Sequence, residues 1–569
     1  VAFISSDPLA SDNVLGIVFT YYLPAFLVAF LVLGALYLVL PRKARAVYLF
    51  ALLYVVFVFT VHGYFLTGNY SQMDGMSFTK LQIGAKRVMM DIAVYGALLL
   101  GTAVLFSKKY YVRVFPIVGI IFLSGLTFFG FHAANIWKVT SQDVQSQAES
   151  ARQAEVYYFS KTKQNVVVLM LDRAFGFMTD TVFERKSGLR SAFDGFVYYP
   201  NCLSSSNATI GGFLSIVGGY DYSSAEIFSR DREPMTKKAL EAFSLIPMNL
   251  RDKGYDIVYS NVDYDPSTLA KDELRKLGVR INMDGNRYIL EKSDESVVAR
   301  TLLGGGLFRL SGDLFRKKIY RGGTWLTEDP QMTSEYGVGR KYYSQLEALP
   351  KVSSTESDRN NYILIHNLMI HNPYVYGADG AIFKDAGRND RKLDRYPPED
   401  LAKFGTQNDL VHYYSMEVSF KLIADWLQWM KDNGVYDNTK IIVVSDHGRD
   451  LTWAGDLGKH TIGDGSLPKT FFVPLLMVKD FGSRGEVRRD MAFMTNADVP
   501  SIAFSHIGLS NPFTGGPLKV EKSSPFDLYY IHYALRDSRQ AKFTLFDRAQ
   551  VLNGNIYADE NWRMVKKEE

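Results

Sequence analysis

The chain has 569 residues, more than one ordinary domain requires, and 64 basic against 60 acidic residues give a formal charge of +4. No dense basic arm or stripe is present, which excludes nucleic acid as a partner. The single cysteine, Cys202, excludes an internal disulfide framework and any multi-cysteine zinc site, and reads as a small buried apolar residue.

Hydrophobic residues are concentrated at the amino-terminal end. Four apolar runs, Val14 to Leu40, Ala46 to Leu66, Ile92 to Phe106 and Tyr111 to Phe131, predict transmembrane helices. The third reaches adequate length only with Val88, Met89 and Met90, which places Asp91 at an interface or against another helix. Arg42, Lys43 and Arg45 flank one end of these runs, and Lys108, Lys109 and Arg113 return two spans later. Basic loops stay cytoplasmic, so the segment after Phe131 is expected outside, although Lys80, Lys86 and Arg87 stand on the opposing loop. The polar stretch from Val1 to Asn13 suits an outside loop and predicts one further helix upstream.

Three regions follow: 1–134, a transmembrane helix bundle; 135–163, a juxtamembrane helical linker rich in Gln, Ser and Ala; and 164–569, a soluble extracytoplasmic domain. In the last, Asn165 to Leu171, Tyr255 to Tyr259, Tyr362 to His366, Lys440 to Val444 and Val473 to Val478 have the β-branched, unbroken apolar character of central parallel strands. Lys237 to Lys253 and Tyr413 to Asn433 read as helices between them. Alternating strands and helices predict a doubly wound α/β domain with a mostly parallel central sheet, whose ligands bind beyond the carboxyl ends of the strands.

Polar residues fall at those ends. Asp172 follows NVVVLML, and Asp446 with His447 follows KIIVVS. Carboxylates and an imidazole from separate strands can converge on one divalent cation, and this oxygen-rich set suits manganese first, with zinc or magnesium as alternatives. Taken singly, an Asp after a strand is most often a turn or cap residue. The small-residue stretch SSSNATIGGFLSIVGG places Thr209 where a helix begins, with Ser206 and Asn207 as competing caps.

In order and spacing, NVVVLMLD, SSSNATIGGFLSIVGG, HNP, VVSDHG, the strand containing VPLL and NADVPSIAFSHIGL resemble the sulfatase-like branch of the alkaline phosphatase superfamily. With its multi-spanning anchor the chain resembles lipoteichoic acid synthases, phosphoglycerol transferases and phosphoethanolamine transferases. The resemblance spans roughly Asn165 to Leu509. It implies Asp172, Thr209, Asp446 and His447 as metal ligands and Thr209 as the nucleophile. It also implies His371 as the residue that contacts the phosphate or protonates the departing alcohol, and His460, thirteen residues after His447, as a second substrate histidine. His366 reads as a strand residue with a structural hydrogen bond.

What the resemblance implies is an enzyme of the bacterial plasma membrane. It would pass a phospho-alcohol head group, phosphoglycerol by preference, from a membrane phospholipid through a phospho-threonine to an extracytoplasmic glycan or glycolipid. Phosphoethanolamine transfer is the alternative, and a non-catalytic lipid-sensing regulator is another. Sulfatase chemistry does not fit, because Thr209 precedes Ile-Gly-Gly and Cys202 lies in CLSSS, neither of which resembles a formylglycine site. The stretch Thr301 to Trp325 sets apolar residues beside Arg309, Arg316, Lys317, Lys318 and Arg321. It reads either as a membrane-facing element or as an inserted helix with its charges in water.

Overall fold

The computed structural model describes residues 16, 18–66, 84–108, 110, 157–262, 271–282, 295–320, 334–372, 375–377, 380, 396–463, 465, 467–532 and 543–565. In chain order the helices α1 (Leu23–Val39), α2 (Arg42–Thr60) and α3 (Ala85–Ser107) come first. Strand β1 (Asn165–Leu171), β2 (Phe196–Tyr198), α4 (Thr209–Gly218), α5 (Met235–Leu250), β3 (Tyr255–Ser260) and β4 (Val279–Asn282) follow. Then come α6 (Glu295–Leu310), α7 (Asp313–Tyr320), β5 (Asn360–Asn367), α8 (Gln407–Asp432), β6 (Thr439–Val444), β7 (Leu476–Lys479) and β8 (Arg488–Arg489). The chain closes with β9 (Phe526–His532), β10 (Thr544–Val551) and β11 (Trp562–Val565).

Two compact units result. The first holds α1, α2 and α3, which with their helical extensions Phe19–Val39, Arg42–Phe65 and Ala85–Ser107 are long and apolar enough to cross a membrane, and make this a membrane protein. The run Tyr111 to Phe131 lies outside the described residues. Helices α2 and α3 run antiparallel. Phe50 meets Phe106 at one end, with ring centroids 5.4 Å apart, and His62 meets Asp91 at the other. Helices α6 and α7 belong to this unit too, although in sequence they interrupt the stretch read as the soluble domain.

The second unit is built on an eight-stranded sheet in the order β8-β2-β7-β6-β1-β5-β3-β4. Strand β1 lies at its centre, every residue buried, parallel to β5 on one side and β6 on the other. An unbroken run of Val, Leu and Met suits that place, since both faces are covered. Val166, Val168 and Met170 pack against Phe213 and Leu214 of α4 and Phe243 and Ile246 of α5. The α/β class and the mostly parallel sheet are as the sequence implied.

Two expectations change. The strand expected at Val473 to Val478 forms as Leu476–Lys479 and is antiparallel to both β6 and β2. A parallel return needs a crossover, and the described chain between β6 and β7 offers only a 3₁₀ turn at Lys469–Phe472. The helical linker read over 135–163 has given way by Tyr157. Tyr157 and Tyr158 pair as a strand with Ser353 and Ser354, and Phe159 packs edge-on against Trp426, so these aromatic residues are held by burial in an extended conformation.

Candidate active site

Sheet register brings the site together. Met170 and Val444 are partners in adjacent parallel strands, so Asp172 and Asp446, each two residues further on, emerge side by side at the carboxyl edge. Asp172 N–H donates to the Asn367 carbonyl at 2.9 Å, extending β1 by one residue. One ligand atom from each of Asp172, Asp446 and His447 falls within 4.8 Å of the others, and all three residues are buried.

Thr209 is the first residue of α4. Its Oγ1 hydroxyl donates to Asp172 Oδ2 at 3.1 Å and lies 3.3 Å from His447 Nε2. Here the close approach requires the glycines that follow, Gly211 and Gly212. A Cβ on Gly212 would stand 2.2 Å from the Asp446 carbonyl oxygen, so only glycine lets the first turn of α4 settle onto the end of β6. From the other side the carboxyl-terminal sheet fixes the preceding loop. Asn207 Nδ2 donates to the Ile531 carbonyl, and Ile531 N–H donates back to Asn207 Oδ1 at 2.7 Å.

The histidine is oriented by its backbone. His447 Nδ1 lies against the Gly448 carbonyl, which makes Nδ1 the protonated nitrogen and turns the Nε2 lone pair into the cluster. Asp446 Oδ1 accepts from the backbone N–H groups of His447 and Arg173. Asn496 Nδ2 donates to the Asp446 carbonyl at 2.7 Å.

Asp172 Oδ1 and Asp446 Oδ2 are buried oxygens without a hydrogen-bond donor. Burial alone would raise the Asp172 carboxyl, yet the neighbouring His371, His366, His447 and Arg173 side chains hold it low, whereas burial and then the Asp172 charge push Asp446 up. Two buried carboxylates with orphaned oxygens beside an imidazole lone pair fit a divalent cation, which would satisfy all three. Asp172, Asp446, His447 and the Thr209 hydroxyl would hold it.

His371 stands at the rim, half-buried, with Nδ1 2.7 Å from the Asn372 carbonyl. Burial and the Arg173 charge push its imidazole down to about 4. His460 is placed differently. It pairs with Asp450 at 3.3 Å and, among the described residues, makes no direct contact with the cluster. His366 has the structural bond expected of it, Nδ1 to the Asn261 carbonyl at 3.1 Å, and its Nε2 also faces Asp172 Oδ2 at 3.6 Å.

Two residues escaped the sequence reading. Arg173 has a positive φ of 66°, a left-handed conformation rare outside glycine. Its guanidinium hydrogen-bonds Asn372 Oδ1 at 2.6 Å, while Nε is buried without a partner, 3.9 Å from Asp172 Oδ1. His412, buried in α8 and lowered well below its ordinary range by burial, has its Nε2 3.0 Å from the Arg173 carbonyl and so fixes that turn. The signal for Arg173 was its place immediately after a strand-end carboxylate; for His412 the sequence held none.

No family model matches the chain, and no curated protein matches it. Solved structures do. The lipoteichoic acid synthase LtaP from Listeria monocytogenes is 11% identical, with a TM-score of 0.36 over 72% of this chain and 86% of that one. The periplasmic domain of EptC from Escherichia coli is 11% identical, with a TM-score of 0.35 over 68% of this chain and 92% of that one. The phosphonate monoester hydrolase of Agrobacterium radiobacter is 16% identical, with a TM-score of 0.34 over 65% and 81%. In this chain the strand order gives an α/β domain with a mostly parallel central sheet, and the Asp172, Asp446 and His447 cluster lies at its carboxyl edge.

Proposed function

We propose that the chain is a membrane-anchored, metal-dependent phosphotransferase. It moves a phospho-alcohol head group, phosphoglycerol in preference to phosphoethanolamine, from a membrane phospholipid to an extracytoplasmic glycan or glycolipid. One observation carries this reading: the Thr209 hydroxyl, at the start of α4, lies within hydrogen-bond reach of both Asp172 and His447. A free hydroxyl is a weak nucleophile, and a bound divalent cation, manganese by preference, would lower its pKa and offset phosphate charge.

The chain's own residues do the rest. Thr209 Oγ1 forms the new bond to phosphorus while the bond to the lipid alcohol breaks, and the Thr209 and Ile210 N–H groups at the start of α4 would donate to the phosphate oxygens, those of Gly211 and Gly212 being taken by the Ala208 carbonyl. Arg173 offers a fixed cation beside the nucleophile. His371, neutral near pH 7, is the group we assign to take the proton that Thr209 gives up and pass it to the departing alcohol, and later to take one from the acceptor hydroxyl and return it to Thr209. The acceptor then displaces Thr209, restoring the free hydroxyl.

Head-group release from a labelled phospholipid by the purified protein tests the reading. Thr209→Ala should remove turnover with an unchanged fold, and Thr209→Ser should keep part of it; equal turnover in Thr209→Ala and parent would overturn it.

A further inference from the structure

Inside the membrane unit, α6 and α7 are held by a polar network. Arg316, almost fully buried, donates from Nη1 to Asp313 Oδ1 at 3.0 Å, from Nε to the Phe308 carbonyl at 3.0 Å, and from Nη2 to the Leu66 carbonyl at 3.0 Å, just past the end of α2. Leu314 N–H donates to Asp91 Oδ2 at 3.0 Å, so a carboxylate of α3 satisfies the amino terminus of α7. Tyr95 Oη accepts from Gly312 N–H at 3.1 Å. A Cβ on Gly312 would fall 2.5 Å from that oxygen, which is why the two helices can meet so closely.

This network fixes where α7 sits along the spans. It adjoins the carboxyl end of α2 and the amino end of α3, the end opposite Arg42, Lys43 and Lys108. Asp313, Arg316, Ile319 and Tyr320 are the buried side of α7, and Leu314, Phe315, Lys317 and Lys318 the exposed side. The exposed side continues the apolar surface of the spans: the Phe315 ring meets Tyr95 edge-on at 6.1 Å, and Tyr64, Phe65, Met89 and Ile92 are exposed nearby in the sequence of α2's extension and α3. Among the described residues neither lysine has an ion-pair partner.

We propose that α7 is seated in the membrane–water interface at the extracytoplasmic end of the spans. Leu314 and Phe315 enter the apolar region, and Lys317 and Lys318 bind the phosphates of anionic phospholipids. Apolar residues beside free lysines on a helix tied to a transmembrane pair suit that boundary, and charge complementarity selects anionic head groups over neutral ones. Of the two readings of this stretch, the buried Arg316 belongs to neither; its role is to fasten α7 to α2.

Cys202 is fully buried, so one introduced cysteine can be labelled selectively. The full chain would be reconstituted in vesicles of neutral phosphatidylcholine, with or without anionic phosphatidylglycerol, carrying an environment-sensitive fluorophore at Phe315→Cys or, as a solvent control, at Lys421→Cys. Brominated lipids should quench the label at position 315 several-fold more than at 421, and more deeply with anionic lipid. Adding Lys317→Gln and Lys318→Gln should abolish the anionic-lipid effect while leaving basal quenching. Aqueous iodide quenching 315 as freely as 421, or an anionic-lipid effect that survives loss of both lysines, would overturn the proposal.

Discussion

Gly212 lies directly against the Asp446 carbonyl, with no room for a side chain between α4 and the end of β6. Gly212→Ala therefore has to push Thr209 away from His447 or displace the Asp446 loop. Overpacking of this kind costs about 1–3 kcal/mol, and turnover should fall further than stability. Thermal denaturation and turnover measured together check this, with Gly306→Ala, where a Cβ meets nothing within 4 Å, as the unaffected control.

Chelation should lower the melting temperature of the α/β unit, because the buried oxygens Asp172 Oδ1 and Asp446 Oδ2 then lose the cation that would partner them. With metal held 100-fold above its dissociation constant, the loss is about 2.7 kcal/mol. Asp446→Asn should bind metal poorly yet melt higher than the chelated parent, since the like-charge pair is gone. Calorimetry with and without chelator distinguishes this from simple loss of a structural residue.

Arg173 adopts a conformation that costs most residues about 1 kcal/mol, so Arg173→Gly should leave stability unchanged or raise it. Turnover should nevertheless fall, because a hydrogen bond from a charged group to phosphate contributes about 1.5–3 kcal/mol, or roughly 10- to 100-fold. Steady-state kinetics beside a melting curve separates the two effects.

Topology is open to the same cysteine chemistry. A membrane-impermeant reagent added to intact cells should label Lys421→Cys and spare Arg42→Cys. The reverse pattern would place the α/β unit on the cytoplasmic side.

What the sequence disclosed depended on how local each signal was. Asp172, Asp446 and His447 were legible because a fully buried strand must be apolar, so a polar residue at its end stands out. Thr209 was legible through the small residues around it, whose reason appears only in the packing of Gly212 on Asp446. The direction of β7 was not, since apolar β-branched residues suit either neighbour, and only the absence of a crossover helix in the described chain reverses it. Asp91 was expected near an interface or another helix, but its partner, the amino terminus of α7, lies more than 200 residues away. Arg316 read as a surface charge because its carbonyl acceptors are backbone atoms without any sequence signature. His412 acts through the Arg173 carbonyl and was invisible for the same reason.

The most direct measurement is the intact mass of the protein trapped during turnover on a phospholipid of known head group, followed by peptide mapping. A phospho-alcohol adduct on Thr209, absent from Thr209→Ala and discharged by an acceptor hydroxyl, is the predicted result, and its mass names the donor. Full turnover with no adduct on Thr209, or with the adduct on another residue, would contradict transfer through this hydroxyl.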